Sequence, residues 1–513
     1  MKKRLPLGIQ TFRTIREEGC YYVDKTAYAA RLVDEGAQYF LSRPRRFGKS
    51  LFADTLKELF EGNEAMFDGL YVHERWDWSV RHPVVRLDFS AGNFKDPDYL
   101  RTNLMAQLGS AARRAGLDPE HSTAPELFAW LLEVLHDRTG QRAVVLVDEY
   151  DKPILDALAE PAVARSNRDH LRGLYGVVKF CDAHVRFTFL TGVSKFSKVS
   201  LFSVLNHLED ITLDPVYSAI CGYTEADLDA VFWPELGGLD RGRIRDWYNG
   251  YNWRGPEKVY NPYDVLRLFR RREFQSWWFE TGTPAFLVET LVERGVASVA
   301  LDGMVGTDEL LSTFDVEHTA TEALLFQTGY LTILDEKERG GEIFYRLGYP
   351  NREVRQSLNE HLLGRLVGDP RQTANRLRLY DLLAAADVAG LQGLFHAVFA
   401  GIPYEWHTRN EMARFEGWYA SVFYSYFAAS GLAVTVEDSG SGGRLDMAVR
   451  CDGRVYLFEF KVVEQAGAGA ALAQLRARGY ADKYRALGEP IHLVGVEFSR
   501  ETRNVVAFET APA

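Results

Sequence analysis

The sequence predicts an α/β protein. Three observations point there. The first 200 residues alternate short apolar runs with helical patterns, a Gly-Lys-Ser triplet lies between a strand and an amphipathic stretch, and two strands around residue 452 carry acids in an apolar setting.

The candidate strands of the first region are Gln38 to Leu41, Val84 to Phe89, Ala143 to Val147 and Val185 to Leu190. Their centres are apolar and their ends are turn or charged residues, as in a parallel sheet covered on both faces. From about Gly222 helical patterns dominate, and aromatics cluster at Trp247, Tyr248, Tyr251 and Trp253. That cluster reads as a small core where a lid meets the sheet domain, ahead of the alternative that it stacks bases. A β-meander is expected at Tyr330 to Ile333 and Ile343 to Leu347, with Glu336 to Gly341 as its polar turn. Gly368-Asp369-Pro370 reads as a linker, and a helical stretch follows it. A compact α/β segment then begins near residue 405. The 513 residues therefore divide into 1–221, 222–370 and 371–513.

Composition narrows the class. No apolar run is long enough to span a bilayer, and Pro6, Gly8 and Gln10 interrupt the start too early for a signal peptide. Cys20, Cys181, Cys221 and Cys451 lie far apart with no CxxC pair, which argues against a zinc site or a disulfide framework. Reduced thiols fit a cytoplasmic protein. The net charge is −11, and residues 371–513 are near neutral with 15 basic and 16 acidic side chains. Global charge thus does not mark a nucleic-acid binder, and any nucleic acid must be held by local patches.

The string Ser42-Arg43-Pro44-Arg45-Arg46-Phe47-Gly48-Lys49-Ser50 follows a strand and precedes the amphipathic stretch Leu51 to Phe60. A P-loop (Walker A) works in this setting, because backbone N–H groups and a helix N-terminus hold phosphates there. Arg46, Phe47, Gly48, Lys49 and Ser50 are the candidate nucleotide-binding residues. Lys49 would reach the β- and γ-phosphates of ATP, and the Ser50 hydroxyl would ligate Mg2+. Arg43 stands where the first glycine of the motif is usual. Val144 to Glu149 is an apolar strand ending in two acids, the Walker B pattern. Asp148 would sit at the magnesium and Glu149 would activate the attacking water. A polar residue after the strand Val185 to Leu190, within Thr191 to Lys195, would sense the γ-phosphate or cap a turn.

These strings, with Tyr22-Val23-Asp24-Lys25-Thr26, Val147-Asp148-Glu149-Tyr150-Asp151-Lys152-Pro153, Leu190 to Ser197 and Tyr260-Asn261-Pro262-Tyr263, resemble the bacterial AAA-ATPase-like family. The resemblance implies ATP binding and hydrolysis. It also implies that arginine at position 43 is compatible with a working site.

Asp452-Gly453 joins two strand candidates, Arg444 to Cys451 and Arg454 to Val462, as a two-residue hairpin turn. Cys451 then pairs with Arg454, which sets Asp446 directly opposite Glu459. Lys461 follows two residues on, on the same face. Facing carboxylates repel, and Glu459 is flanked by Leu457, Phe458 and Phe460. A divalent cation, Mg2+ or Mn2+, resolves that conflict; so does a surface hairpin neutralised by Lys461 or Arg444.

The arrangement resembles the PD-(D/E)XK nuclease core, with Asp446 as its first acid and Glu459-Phe460-Lys461 as the (D/E)XK part. Leu445 stands where the motif proline is usual. The resemblance implies Asp446, Glu459 and Lys461 as catalytic residues, with Glu416, on the helical stretch Phe415 to Phe427, as a further metal ligand or else a solvated helix residue. Gln474 precedes Arg476, Arg478, Lys483 and Arg485, a run that suits a phosphate backbone or simply a solvated helix face. The expected whole is a P-loop NTPase parallel-sheet domain, a mainly helical middle region and a C-terminal α/β restriction-endonuclease-like domain. The expected activity is ATP hydrolysis coupled to metal-dependent phosphodiester cleavage. The expected partner is nucleic acid, DNA ahead of RNA, with no membrane and with homo-oligomer formation open. A nucleotide-driven switch or interaction protein whose nuclease-like domain only binds is the alternative.

Overall fold

Ala143 to Asp148 is buried along its whole length, and this strand organises the first sheet. In the computed structural model, residues 2–513 are described except 97, 159, 196–207, 279–284, 297, 312–319, 369–370, 403–415, 441–442, 464–468 and 500. The chain forms two compact units, residues 1–278 with 305–351 and residues 279–304 with 352–513. These two units group the chain differently from the consecutive ranges 1–221, 222–370 and 371–513. The helices from 222 to 278 stay with the first sheet because Leu228, Phe232, Trp247 and Tyr260 share a core with Tyr21 and Val23.

The first unit holds a five-stranded parallel sheet made of β1 (Gln38–Ser42), β2 (Val84–Asp88), β3 (Ala143–Asp148), β4 (Val185–Gly192) and the short β5 (Glu209–Asp210). The order is β2-β3-β4-β1-β5. All four strands read from the sequence are present, each ending within two residues of its expected limit. Because β4 lies between β1 and β3, its last residues stand between the loop after β1 and the acids after β3. Helix α1 (Lys49–Phe60) follows the loop and buries Phe52, Leu56 and Leu59.

A three-stranded sheet lies in the same unit: β6 (Val305–Thr307), β7 (Thr332–Arg339) and β8 (Glu342–Gly348), in the order β6-β8-β7. The expected six-residue polar turn is not a turn. Glu336 to Arg339 continue β7 as exposed strand, and Gly340-Gly341, both in the left-handed region, make the reversal alone.

The second unit is built on a sheet in the order β13-β12-β11-β10-β9, from β9 (Ala433–Gly440), β10 (Gly443–Cys451), β11 (Arg454–Val463), β12 (Ile491–Ser499) and β13 (Asn504–Pro512). Only the β11–β12 pair is parallel. Strand alternation sorts the side chains of β11. Phe458 and Phe460 meet Phe427 and Phe423 of helix α2 (Glu416–Ala429), whereas Leu457 shares a core with Leu472 and Leu475 of helix α3 (Ala470–Arg478). Among the described residues no helix is long and apolar enough to cross a membrane.

Candidate nucleotide and metal sites

The loop after β1 reverses through Arg46 (φ 71°) and Gly48 (φ 98°) before α1 begins. The dihedral alone favours glycine at 48, since a Cβ there would meet nothing within 4 Å. Backbone N–H groups from Arg45 to Leu51 donate to no described residue. Such a run of open donors at a helix start suits an anion. Lys49 is only 5% exposed and donates to the carbonyls of Arg43 (2.9 Å) and Pro44 (3.1 Å), closing the loop on itself. Ser50 is half-buried one residue further on.

The Arg43 side chain has no part in that cradle. Its guanidinium is fully buried and donates to the carbonyls of Ser42 (2.8 Å), Thr212 (3.0 Å) and Tyr217 (3.0 Å), while lying 4.2 Å over the Trp253 ring. Burial pushes its pKa down to about 10. The residue that breaks the glycine pattern is therefore a structural bolt between the loop and the segment after β5. The aromatic cluster completes this wall: Phe47 meets Tyr251 at 4.7 Å and Trp253 at 5.4 Å, and Arg46 lies 4.5 Å over Tyr263. This agrees with the structural reading of the aromatics.

At the end of β3, Asp148 is 1% exposed, and its Oδ1 accepts from the Thr191 hydroxyl at 2.7 Å. Its Oδ2 receives no hydrogen bond and lies 3.7 Å from Arg86 Nη2. Arg86 also reaches Asp54 of α1 (2.7 Å) and Asp88 (3.4 Å). An oxygen ligand with an open lone pair suits a hard cation, so Asp148 and Ser50 fit Mg2+ by donor chemistry. Glu149 adopts φ 52°, an uncommon conformation for a non-glycine residue that is worth explaining by function. Burial raises its pKa, with Lys49 and Arg45 pulling the other way and Asp148 adding to the rise. Asp151 is buried and accepts from the backbone N–H groups of Val193 (3.0 Å) and Ser194 (2.6 Å), so it ties the β3 exit to the β4 exit. Burial raises its pKa to about 6. Lys195 pairs with Asp210, and it is Thr191, near the end of β4, that reaches Asp148.

Two quoted motifs are structural. Asp24 binds Thr26 and the Tyr71 N–H, and Lys25 pairs with Asp227 at 2.8 Å. Asn261 caps its helix through the Tyr263 N–H at 2.9 Å. Phe196 and Ser197 lie outside the described residues.

In the second unit the hairpin register is as expected: Cys451 pairs with Arg454 and Met447 with Phe458, across a turn with Asp452 (φ 46°) and Gly453 (φ 70°). The paired stretch ends at Met447 and Phe458, one residue short of Asp446 and Glu459, and each of these carboxylates has a protein donor. The Phe460 N–H donates to Asp446 Oδ2 at 2.8 Å, and the Gln474 amide donates to Glu459 Oε1. Lys461 Nζ lies 3.9 Å from the same Glu459 oxygen. Glu459 is 1% exposed, so this is not a surface hairpin with solvated acids. Buried Glu459 and half-buried Asp446, with the Lys461 ammonium beside Glu459, fit a divalent cation by donor chemistry. Glu416 opens α2, but its side chain lies outside the described residues. Among the described residues no group of three or more His, Cys, Asp or Glu is arranged to hold a metal. The basic residues Arg476, Arg478, Lys483 and Arg485 are exposed, and Arg485 pairs with Asp482.

Sequence reasoning missed Arg86 and Asp151 and underrated Gln474. Arg86 carried one usable signal, a charge inside the apolar run Val84-Val85-Arg86-Leu87.

The fold and these sites define a P-loop-type ATPase unit joined to a nuclease-type unit. Residues 6–202 match the AAA-ATPase-like family, described as predicted AAA-ATPase, and residues 414–508 match the PD-(D/E)XK nuclease superfamily. The chain is 58% identical over 512 residues to the uncharacterized protein in the vnfD 5′ region of Azotobacter chroococcum mcd 1, covering 99% of this chain and 98% of that one. It belongs to that family, AAA-ATPase-like proteins with a C-terminal PD-(D/E)XK nuclease superfamily domain.

Proposed function

We propose that the chain hydrolyses ATP and uses the nucleotide cycle to govern a metal-dependent nuclease. The observation that carries the ATPase half is the open run of N–H donors from Arg45 to Leu51 beside Asp148 and Glu149. Lys49, released from the carbonyls of Arg43 and Pro44, would turn to the phosphates. Ser50 and Asp148 would hold Mg2+, and Thr191 would orient Asp148. Glu149, its pKa raised by burial, would take the proton of the attacking water.

The nuclease half is supported by Glu459, buried beside Lys461, and by Asp446, whose carboxylate accepts the Phe460 N–H next to it. Asp446 and Glu459 would hold Mg2+ or Mn2+, which when bound supplies Lewis-acid and nucleophile-generating chemistry. Lys461 would place its ammonium against the charge that builds on the phosphate. The substrate class is a nucleic-acid phosphodiester, DNA ahead of RNA.

The test is cleavage of single- and double-stranded DNA and RNA with Mg2+ or Mn2+, with and without ATP. Metal-dependent cutting that Asp446→Asn abolishes is expected. Lys49→Ala should remove the effect of ATP and leave the metal requirement. One observation favours a second reading, a nucleotide-driven switch that only binds nucleic acid: both acids already have protein donors. Retained binding with no cutting under any metal would establish that reading instead.

A further inference from the structure

Helix α3 has no side-chain cap of its own. Its N-cap is Gly469, and no residue of the helix or its cap supplies a side-chain acceptor to the first turn. The first N–H groups of a helix need partners from elsewhere. One comes from the sheet beneath: Glu497 of β12 is 1% exposed, and its Oε1 accepts the Ala471 N–H at 3.1 Å. Its Oε2 is buried and makes no hydrogen bond. A carboxylate left half-satisfied inside a protein is costly, so the position is under constraint.

The ladder shows what the constraint serves. In the parallel pairing of β11 and β12, Gly495 stands beside Glu459 and Glu497 beside Lys461. A Cβ at Gly495 would come 2.4 Å from the Leu472 backbone nitrogen. The helix therefore touches down on the sheet next to Glu459, and only glycine permits that height. Ala471 and Gln474 are three residues apart, hence on one helical face. The same face that Glu497 grips carries the amide that binds Glu459.

We propose that Glu497 is a positioning residue of the nuclease centre: it holds the first turn of α3 at the height at which Gln474 fixes the Glu459 carboxylate. The inference rests on the nuclease reading above. Glu497 acts through a hydrogen-bond acceptor at a set distance, not through its charge. Outer partners that orient a ligating group typically change metal affinity by 10–100-fold when lost.

The experiment is Mn2+ binding to the full chain without nucleotide, followed by the electron paramagnetic resonance of free Mn2+. The difference between parent and Asp446→Asn isolates the site in question. Glu497→Ala and Glu497→Asp, which remove or withdraw the acceptor, should weaken that site by roughly tenfold. Glu497→Gln keeps acceptor and length and should stay within about twofold of the parent. Adding Gln474→Ala to Glu497→Ala should cost nothing further, because both remove one linkage. The order of Gln above Asp is what a direct metal ligand would reverse, and the Asp and Gln variants keep the test open if the Ala variant fails to fold. Loss in Glu497→Gln equal to that in Glu497→Ala would overturn the proposal, as would parent-like affinity in Glu497→Asp or multiplicative losses in the double variant. If parent and Asp446→Asn bind Mn2+ alike, the metal-site reading itself fails and takes this inference with it.

Discussion

The Thr191 hydroxyl donates to Asp148 Oδ1 across 2.7 Å, joining the ends of two adjacent parallel strands at the candidate nucleotide site. The pair is buried, and Arg86 faces the other carboxylate oxygen. Thr191→Val keeps the shape and removes the donor. It should cost about 1–2 kcal/mol of stability and weaken the Mg2+ dependence of ATP binding. Denaturant unfolding and calorimetric titration measure the two effects. An unchanged Mg2+ dependence would show that Thr191 only supports the strands.

Lys49→Ala should abolish ATP hydrolysis. The lysine is not in solvent: it ties two carbonyls of its own loop, so the variant should also lose about 1–3 kcal/mol through unsatisfied groups. Hydrolysis at the parent rate would mean that the phosphates bind elsewhere.

Glu149→Gln should bind ATP with parent affinity and turn it over at least about 100-fold more slowly, since the amide keeps the shape but is no base. Single-turnover and equilibrium measurements separate the two. Weaker binding with normal turnover of the bound nucleotide contradicts the role given to Glu149.

Asp151 sets a pH dependence. Its folded pKa is raised to about 6 by burial, against an unfolded value of about 3.9. Between these values the folded chain holds more protons than the unfolded one. The contribution to stability is therefore full below about pH 4 and is lost as the pH rises through about 6. Asp151→Asn still offers an acceptor to Val193 and Ser194 and escapes that loss. It should be more stable than the parent at pH 8, by at most about 3 kcal/mol, with the gap closing at pH 4. Urea melts at the two pH values give the comparison; a gap that widens toward pH 4 has the wrong sign.

Asp446→Asn should abolish cleavage and lose most of the thermal stabilisation that Mn2+ gives the parent. Without metal its own melting temperature should change little, because the Phe460 N–H keeps an acceptor and the facing charge is halved. Equal Mn2+-induced shifts in parent and variant would remove Asp446 from the metal site.

Much of the fold was legible because it is local. The central strands follow from short apolar runs, α1 from its periodicity, and the β10–β11 register from Asp452-Gly453, which pairs the strands from Cys451–Arg454 as far as Met447–Phe458. The charged tail of β7 was misread as a turn, because an exposed hairpin and a polar loop have the same composition. The sequence by itself marked the candidate residues: Lys49, Asp148, Glu149, Asp446, Glu459 and Lys461 stand in strings whose spacing only a few local structures accept. Tertiary structure alone decided what surrounds them. Arg43 became a buried bolt against Trp253, Arg86 came to share three acids, and Gln474 reached Glu459 because α3 lands on Gly495. Each of these contacts joins segments whose approach is set by packed elements between them, and chain spacing carries no record of such distances.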